Sequence, residues 1–337
     1  MKSEPNRFFD QTSGNAVRLV SLLAKRRGNI DKMQKTTKME KETRTAADAS
    51  RTPFGTPTVR LRRLFADFGV DVLLKLESAN FPSGLKDRAA RGMIDAAENV
   101  GLLTPSTKIF EATSGGEGLA LAFVAAARGL DLTLVAPDVL SEERIRTLTT
   151  LGAKLILTPK KLGMSGAMKT VADAARSDAN VWVPNIFENP AHVAIHEATT
   201  GPELWRDAGG RLDVFVAGVG SGGTFVGVSR ALRRKNPAIQ TVAVEPVESP
   251  VLSGGRPGAH GIIGIGAGFV PKIFDFRVAT GIETVSTEEA ADWTRRLARV
   301  EGIFAGISTG ANLAAVARLA ERRENAGKTF ATVAPDA

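Results

Sequence analysis

The chain has 337 residues, 43% hydrophobic and 24% charged, the composition of an ordinary globular protein of one large or two medium domains. It has no apolar run of the ~18 residues that a membrane span needs. Cysteine is absent, which excludes disulfides, thiolate metal sites and catalytic thiols and fits a cytoplasmic location. Of the net charge of +8, residues 1–50 carry +5, from 11 Lys and Arg against 6 Asp and Glu; the basic balance belongs to a tail and not to a nucleic-acid-binding face.

Residues 1–50 form a basic appendage. Val17, Val20, Leu22 and Leu23 have the spacing of a short amphipathic helix, and Lys32 to Ala49 is polar. The opening residues lack a continuous apolar core, so no secretory leader is expected. From Arg51 the chain alternates strand and helix. Val70–Glu77 is β-branched and apolar, a buried strand, and Asn80-Phe81-Pro82-Ser83-Gly84 then supplies turn residues. Ala89, Ala90, Met93, Ile94 and Ala97 follow at helical spacing. Further strands are expected at Thr107–Thr113, Asp131–Pro137, Lys154–Pro159, Val181–Asn185, Asp213–Val219, Thr241–Pro246, Arg277–Val285 and Thr329–Val333. Helices are expected near Gly118–Ala127, Glu142–Leu151, Gly166–Ala175, Glu288–Val300 and Asn312–Arg323. This order predicts an α/β protein with mostly parallel, doubly wound sheets.

Three strand-to-helix turns carry the chemistry. Lys86 opens a helix after the turn at Asn80–Gly84, where the positive end of the helix dipole and partial burial disfavour its protonated form; that suits an amine forming a Schiff base. Gly220-Ser221-Gly222-Gly223-Thr224 follows a strand and opens another helix, so its N–H groups converge on an anion such as a phosphate. Gly218, Gly220 and Gly223 also satisfy the dinucleotide fingerprint, with Glu245 placed as the ribose acid, which leaves a nicotinamide oxidoreductase open. Thr113-Ser114-Gly115 begins a second glycine-rich turn whose hydroxyls and N–H groups suit a carboxylate. Ser308 presents a hydroxyl at a helix start, either as a ligand or as an ordinary N-cap. His192 and His196 stand at i and i+4, but no third ligand is arranged to complete a metal site, and none is expected.

A Schiff-base lysine, a phosphate cup, a carboxylate turn and a hydroxyl for a ring nitrogen are what pyridoxal phosphate needs. Over residues 52–335 the chain resembles the cysteine synthase and cystathionine β-synthase family of fold type II pyridoxal-phosphate enzymes. The resemblance rests on Gly55-Thr56-Pro57, Ser83-Gly84-Leu85-Lys86-Asp87-Arg88, Thr113-Ser114-Gly115, Phe187-Glu188-Asn189-Pro190-Ala191, Thr199-Thr200-Gly201-Pro202-Glu203, Gly220–Thr224, Gly264-Ile265-Gly266-Ala267-Gly268 and Gly306-Ile307-Ser308. It implies two doubly wound domains: a large cofactor-binding one of residues 51–89 and 161–337, and a small mobile one of 90–160 that closes on the substrate. It further implies that Lys86 is the internal aldimine and carries the Cα proton. Gly220, Ser221, Gly222, Gly223 and Thr224 hold the phosphate, Ser308 meets the pyridine nitrogen, and Thr113 with Ser114 holds the substrate carboxylate. The reaction implied is β-replacement on an O-activated L-serine through an aminoacrylate, with sulfide as the default nucleophile, in a cytoplasmic homodimer.

Three positions depart from the family pattern. Gly116 and Glu117 follow Thr113-Ser114-Gly115 where the family has Asn and Thr, and Ile186 stands where it has Gln. These positions belong to the expected substrate pocket, so a synthase of another β-substituted alanine, with Glu117 meeting an amine, and a non-catalytic paralogue are the alternatives within the fold.

Overall fold

The computed structural model describes residues 48–51 and 54–336; the helix expected at Val17–Leu23 and nearly all of the basic appendage lie outside them. Within the described residues two units separate: Phe54–Ala89 with Ile186 onward, and Ala90–Asn185 with the short segment 48–51. The smaller unit therefore runs to Asn185, beyond the boundary at 160 expected from the sequence. The reason is strand pairing: β6 (Val181–Trp182) lies parallel beside β3 (Lys108–Ala112), pairing Lys108 with Val181.

The larger unit is built on a six-stranded sheet in the order β1-β2-β10-β7-β8-β9. The strands are β1 (Thr58–Arg60), β2 (Asp71–Leu76), β7 (Val214–Gly218), β8 (Gln240–Pro246), β9 (Gly281–Val285) and β10 (Thr329–Ala334). Only β1 runs antiparallel to its neighbour. Because side chains alternate across a strand, an all-apolar strand must be covered on both faces. Val72, Leu74, Val214, Val216 and Val244 pack in one core with Leu297, Leu313 and Val316. Their strand neighbours Leu73, Phe215, Ala217 and Ala243 pack in a second core with Val193, Leu204, Phe225 and Leu232. The covering helices are α5 (Pro190–Ala198), α6 (Thr200–Asp207), α7 (Gly223–Lys235), α8 (Thr287–Glu301) and α9 (Ile307–Ala320).

The smaller unit has a four-stranded, wholly parallel sheet, β5-β4-β3-β6, with β4 at Asp131–Pro137 and β5 at Lys154–Thr158. Its helices are α2 (Gly116–Arg128), α3 (Glu142–Thr150) and α4 (Gly163–Ser177), together with most of α1 (Leu85–Asn99). Small alanines let α1 and α2 approach the sheet: Ala90, Ala97, Ala120, Ala122 and Ala125 share a core with Ile109, Leu132 and Leu134. Among the described residues no helix is long and apolar enough to cross a membrane.

Open parallel sheets place ligands at the carboxyl ends of their strands. In the larger unit β2, β10 and β7 are adjacent and parallel, so the segments leaving them emerge along one edge. Those segments are the turn leading to Lys86, the residues Pro335 and Asp336, and the glycine cup at 220–224.

Candidate active site

Lys86 is the second residue of α1 and is half-buried. The start of the helix is fixed from two directions. The Leu85 N–H donates to the Pro335 carbonyl (2.8 Å), and Gly84, at φ +83°, approaches that carbonyl so closely that a Cβ would collide with it. The Asp87 carboxylate reaches back to accept the Ser83 N–H at 2.9 Å. Burial, with Glu77's charge adding to it, raises the Asp87 carboxyl to about 6 against the bonds it accepts from the backbone.

Two residues further along the same helix than Lys86, Arg88 has no solvent exposure. It donates Nε and Nη2 to Glu77 (2.7 and 2.8 Å) and Nη1 and Nη2 to Glu203 (2.9 and 2.8 Å). Thr56 and Lys75 complete the cluster: Thr56 Oγ1 donates to Glu77 (2.7 Å), and Lys75 Nζ donates to the Thr56 carbonyl (3.0 Å) and pairs with Glu203 (2.9 Å). Burial opposes the charge on Arg88, but the two carboxylates outweigh it and hold the guanidinium's pKa above its usual value. The cluster explains why Gly55-Thr56-Pro57, Lys86-Asp87-Arg88 and Thr200-Gly201-Pro202-Glu203, far apart in sequence, belong to one pattern.

The glycine cup leaves β7 and opens α7, whose N-cap is Gly222 at φ +91°. The N–H groups of a helix's first turn have no intrahelical acceptor and point outward, ready for an anion. Gly220 is held against the Gly264 carbonyl, where a Cβ would collide, and a Cβ on Gly223 would lie 2.5 Å from the His192 ring. That ring is 1% exposed and its Nδ1 bonds the Ile186 carbonyl at 3.2 Å, so Ile186 is buried with its carbonyl holding the histidine. His196 bridges Thr200 Oγ1 (2.9 Å) and Thr224 Oγ1 (3.2 Å). Burial, and then the charge on Lys86, push His192 down to about 3; burial and the neighbouring cations push His196 the same way. The pair is thus an uncharged wedge beneath the cup.

Ser308 is 2% exposed and is the second residue of α9, whose N-cap is Gly306. It is therefore not the N-cap that its position also suggested. The Gly264 backbone that backs the cup also backs this residue, since a Cβ on Gly264 would stand 4.0 Å from Ser308 Oγ. Asp336 closes the neighbourhood: its carboxylate presses on Gly306, and although burial raises its pKa, Lys86's charge acts on it in the opposite sense. Lys86, the cup and Ser308 are thus tied together through Asp336, His192 and Gly264. Glu245 has another duty: its carboxylate accepts from Leu252 N (2.7 Å), Ser253 N (2.9 Å) and Ser253 Oγ (2.6 Å). Pinned to that loop, it is not a ribose ligand.

An amine, a cup of N–H donors and a buried hydroxyl in one unit fit an aldehyde cofactor with an anionic phosphate. The family model described as "Pyridoxal-phosphate dependent enzyme" matches residues 49–336. The chain belongs to this family. It is a pyridoxal-phosphate-dependent enzyme of the cysteine synthase kind: it is 44% identical to a cysteine synthase of Staphylococcus aureus over 83% of its own length and 90% of the relative's. Among solved structures, a cysteine synthase from Entamoeba histolytica matches with a TM-score of 0.84 and 37% identity, covering 87% of this chain and 88% of that one. An O-acetylserine-dependent cystathionine β-synthase from Helicobacter pylori matches at 0.79 and 37%, covering 87% and 95%.

In the smaller unit of this pyridoxal-phosphate enzyme, Thr113 is 2% exposed at the end of β3. Its Oγ1 accepts the N–H groups of Gly115 and Gly118, both at 3.0 Å, leaving its own proton to donate. Ser114 and Gly116 are exposed, and Glu117 is half-buried in the first turn of α2. Behind the turn, Glu111 is 5% exposed and accepts from Asn185 N (2.6 Å) and Ala112 N (3.0 Å). Burial raises its carboxyl well above the usual range, and Glu117's charge raises it further. The sequence drew attention to Glu117 but not to this buried acid partner.

Proposed function

We propose that the chain catalyses β-replacement on O-acetyl-L-serine, with sulfide displacing acetate to give cysteine. The 44% identity to a cysteine synthase over most of both chains supports this reading. So does the placement of Lys86 at the carboxyl edge of β2, β10 and β7, beside the cup.

Pyridoxal phosphate, when bound, supplies an aldehyde for an amine and an electron-poor ring that stabilises negative charge at the substrate Cα. Lys86 provides the amine. The N–H groups of Gly220–Thr224 and the Thr224 hydroxyl bind the phosphate, with His196 orienting that hydroxyl. Ser308 donates its hydroxyl to the ring nitrogen and, being neutral, leaves it unprotonated. Thr113 and Ser114 hold the substrate carboxylate. Lys86 Nζ takes the Cα proton as acetate leaves Cβ; hydrosulfide then forms the Cβ–S bond and Lys86 returns a proton to Cα. The smaller unit is the mobile, substrate-closing part, and the working form is a cytoplasmic homodimer.

Borohydride reduction of the cofactor-loaded protein, followed by peptide mass mapping, tests the assignment of Lys86. A pyridoxyl group on Lys86, together with cysteine formed from O-acetylserine and sulfide, is the expected result. A label on another lysine overturns the site, and no cysteine from an otherwise loaded protein overturns the reaction.

A further inference from the structure

We propose that Arg144 is a substrate-binding residue, presenting its guanidinium to the α-carboxylate held at the Thr113–Gly116 turn. The proposal rests on the assignment of that turn to the carboxylate and deepens it.

The turn is poor in donors for an anion. Of its N–H groups, those of Gly115 and Gly118 are given to Thr113 Oγ1. Gly116 brings no side chain, and Glu117 brings a carboxylate into the first turn of α2, where it opposes a second negative charge. The remaining donors, the Thr113 and Ser114 hydroxyls and the turn's other backbone N–H groups, are all neutral.

One cation stands over this turn. Gly115 lies at φ +146°, a conformation that side chains rarely adopt, and a Cβ built on it would sit 4.0 Å from the guanidinium carbon of Arg144. That is van der Waals contact, so the bare glycine backbone and the arginine face each other. Arg144 lies in the first turn of α3, its N–H accepted by Ser141 Oγ at 3.2 Å, and its side chain is half-buried. Among the described residues no carboxylate pairs with its guanidinium. A cation at the positive end of a helix dipole, partly withdrawn from water and without a counter-ion, is unfavourably placed until an anion arrives. A guanidinium binds a carboxylate through two parallel N–H donors, which also fixes its orientation. Arg144 thus supplies the charge that the turn's own residues lack.

The test uses the cofactor-loaded enzyme and its Arg144→Ala and Arg144→Lys variants. Binding of O-acetylserine and of 2-aminoethyl acetate, the same molecule without the carboxylate, is followed through the cofactor absorbance alongside steady-state kinetics. In Arg144→Ala the KM for O-acetylserine rises at least tenfold while kcat falls far less and the KM for sulfide holds. The preference for the carboxylate-bearing amine over its counterpart collapses by a similar factor, and Arg144→Lys recovers part of it. An unchanged preference in Arg144→Ala overturns the proposal. Thr113→Val in the same series separates the two ideas: if it alone abolishes the preference, the turn keeps its role and Arg144 loses one; if neither variant moves it, the turn itself is wrongly assigned. Should Arg144→Ala fail to fold, Arg144→Gln, which keeps the side chain's length without its charge, carries the comparison with the same two outcomes.

Discussion

Arg88 shows how a charge far from water can serve a site without touching it. Its guanidinium is shared by Glu77 and Glu203, so Arg88→Met takes the paired cation from buried Glu77 and leaves Glu203 with Lys75 alone. We expect a loss of about 3–5 kcal/mol in urea unfolding, because removing one member of a buried ion cluster strands the others. His192 gives a pH effect. Its ring stays neutral in the folded protein down to about 3, whereas an unfolded histidine takes a proton near 6.5, so stability falls as pH drops below 6.5. Between pH 6.5 and 5 this ring accounts for about 2 kcal/mol. Asp87, raised to about 6, acts in the opposite sense and adds stability as pH falls through 6. Comparing His192→Gln with the parent in urea melts at the two pH values isolates the histidine: the variant's pH slope should be flatter, and an equal slope refutes the assignment. The placement of Lys86, the glycine cup and Ser308 at helix starts was readable in the sequence, because unusual residue types sit at strand-to-helix turns, where local spacing carries information. The histidines' role as a neutral wedge and the position of Arg144 were not. Both depend on which distant backbone the side chain meets, Gly223 in one case and Gly115 in the other.

Helix starts are where this fold places its candidate site residues, and they differ in how they are held. α8 begins with a capping box in which Ser286 Oγ accepts the Glu289 N–H and the Glu289 carboxylate accepts that of Ser286. Ser286→Ala should cost about 1 kcal/mol in thermal unfolding without altering cofactor uptake. α7 begins instead on bare glycines, and Gly223→Ala would drive a methyl into the His192 ring. We expect cofactor affinity, measured by absorbance titration, to fall at least tenfold while most of the folding stability remains. A normal titration would separate the cup from the cofactor. Most strands and helices followed from hydrophobic pattern, β4 at its predicted bounds and α3 to within a residue. The pattern misled at Arg277–Thr280, where Phe276–Val278 forms a 3₁₀ turn and β9 starts only at Gly281. There Asp275 accepts from the Arg277 backbone at 3.1 Å, a side-chain cap that competes with extending the strand.

At the scale of the molecule, the residues assigned to the cofactor all belong to the larger unit and those assigned to the carboxylate to the smaller one. Removing pyridoxal phosphate should therefore loosen the larger unit first. A ligand at 100 times its Kd adds about 2.7 kcal/mol to the state that binds it, and hydrogen exchange of loaded against stripped protein should show the gain in β2, β7, β10 and α7. Protection confined to β3–β6 would contradict the assignment. The seam at Asn185 was not legible in the sequence, because β6 is only two residues long and its allegiance is decided by pairing with β3.

The place of β10 bears on how the enzyme is made. This strand sits between β2 and β7, and the carbonyl just after it fixes the first residue of the helix that bears Lys86. A ribosome that has released β2 and β7 has still not made the piece that joins them. A nascent chain therefore cannot set the start of the helix that bears Lys86 in its final geometry until synthesis has passed Pro335.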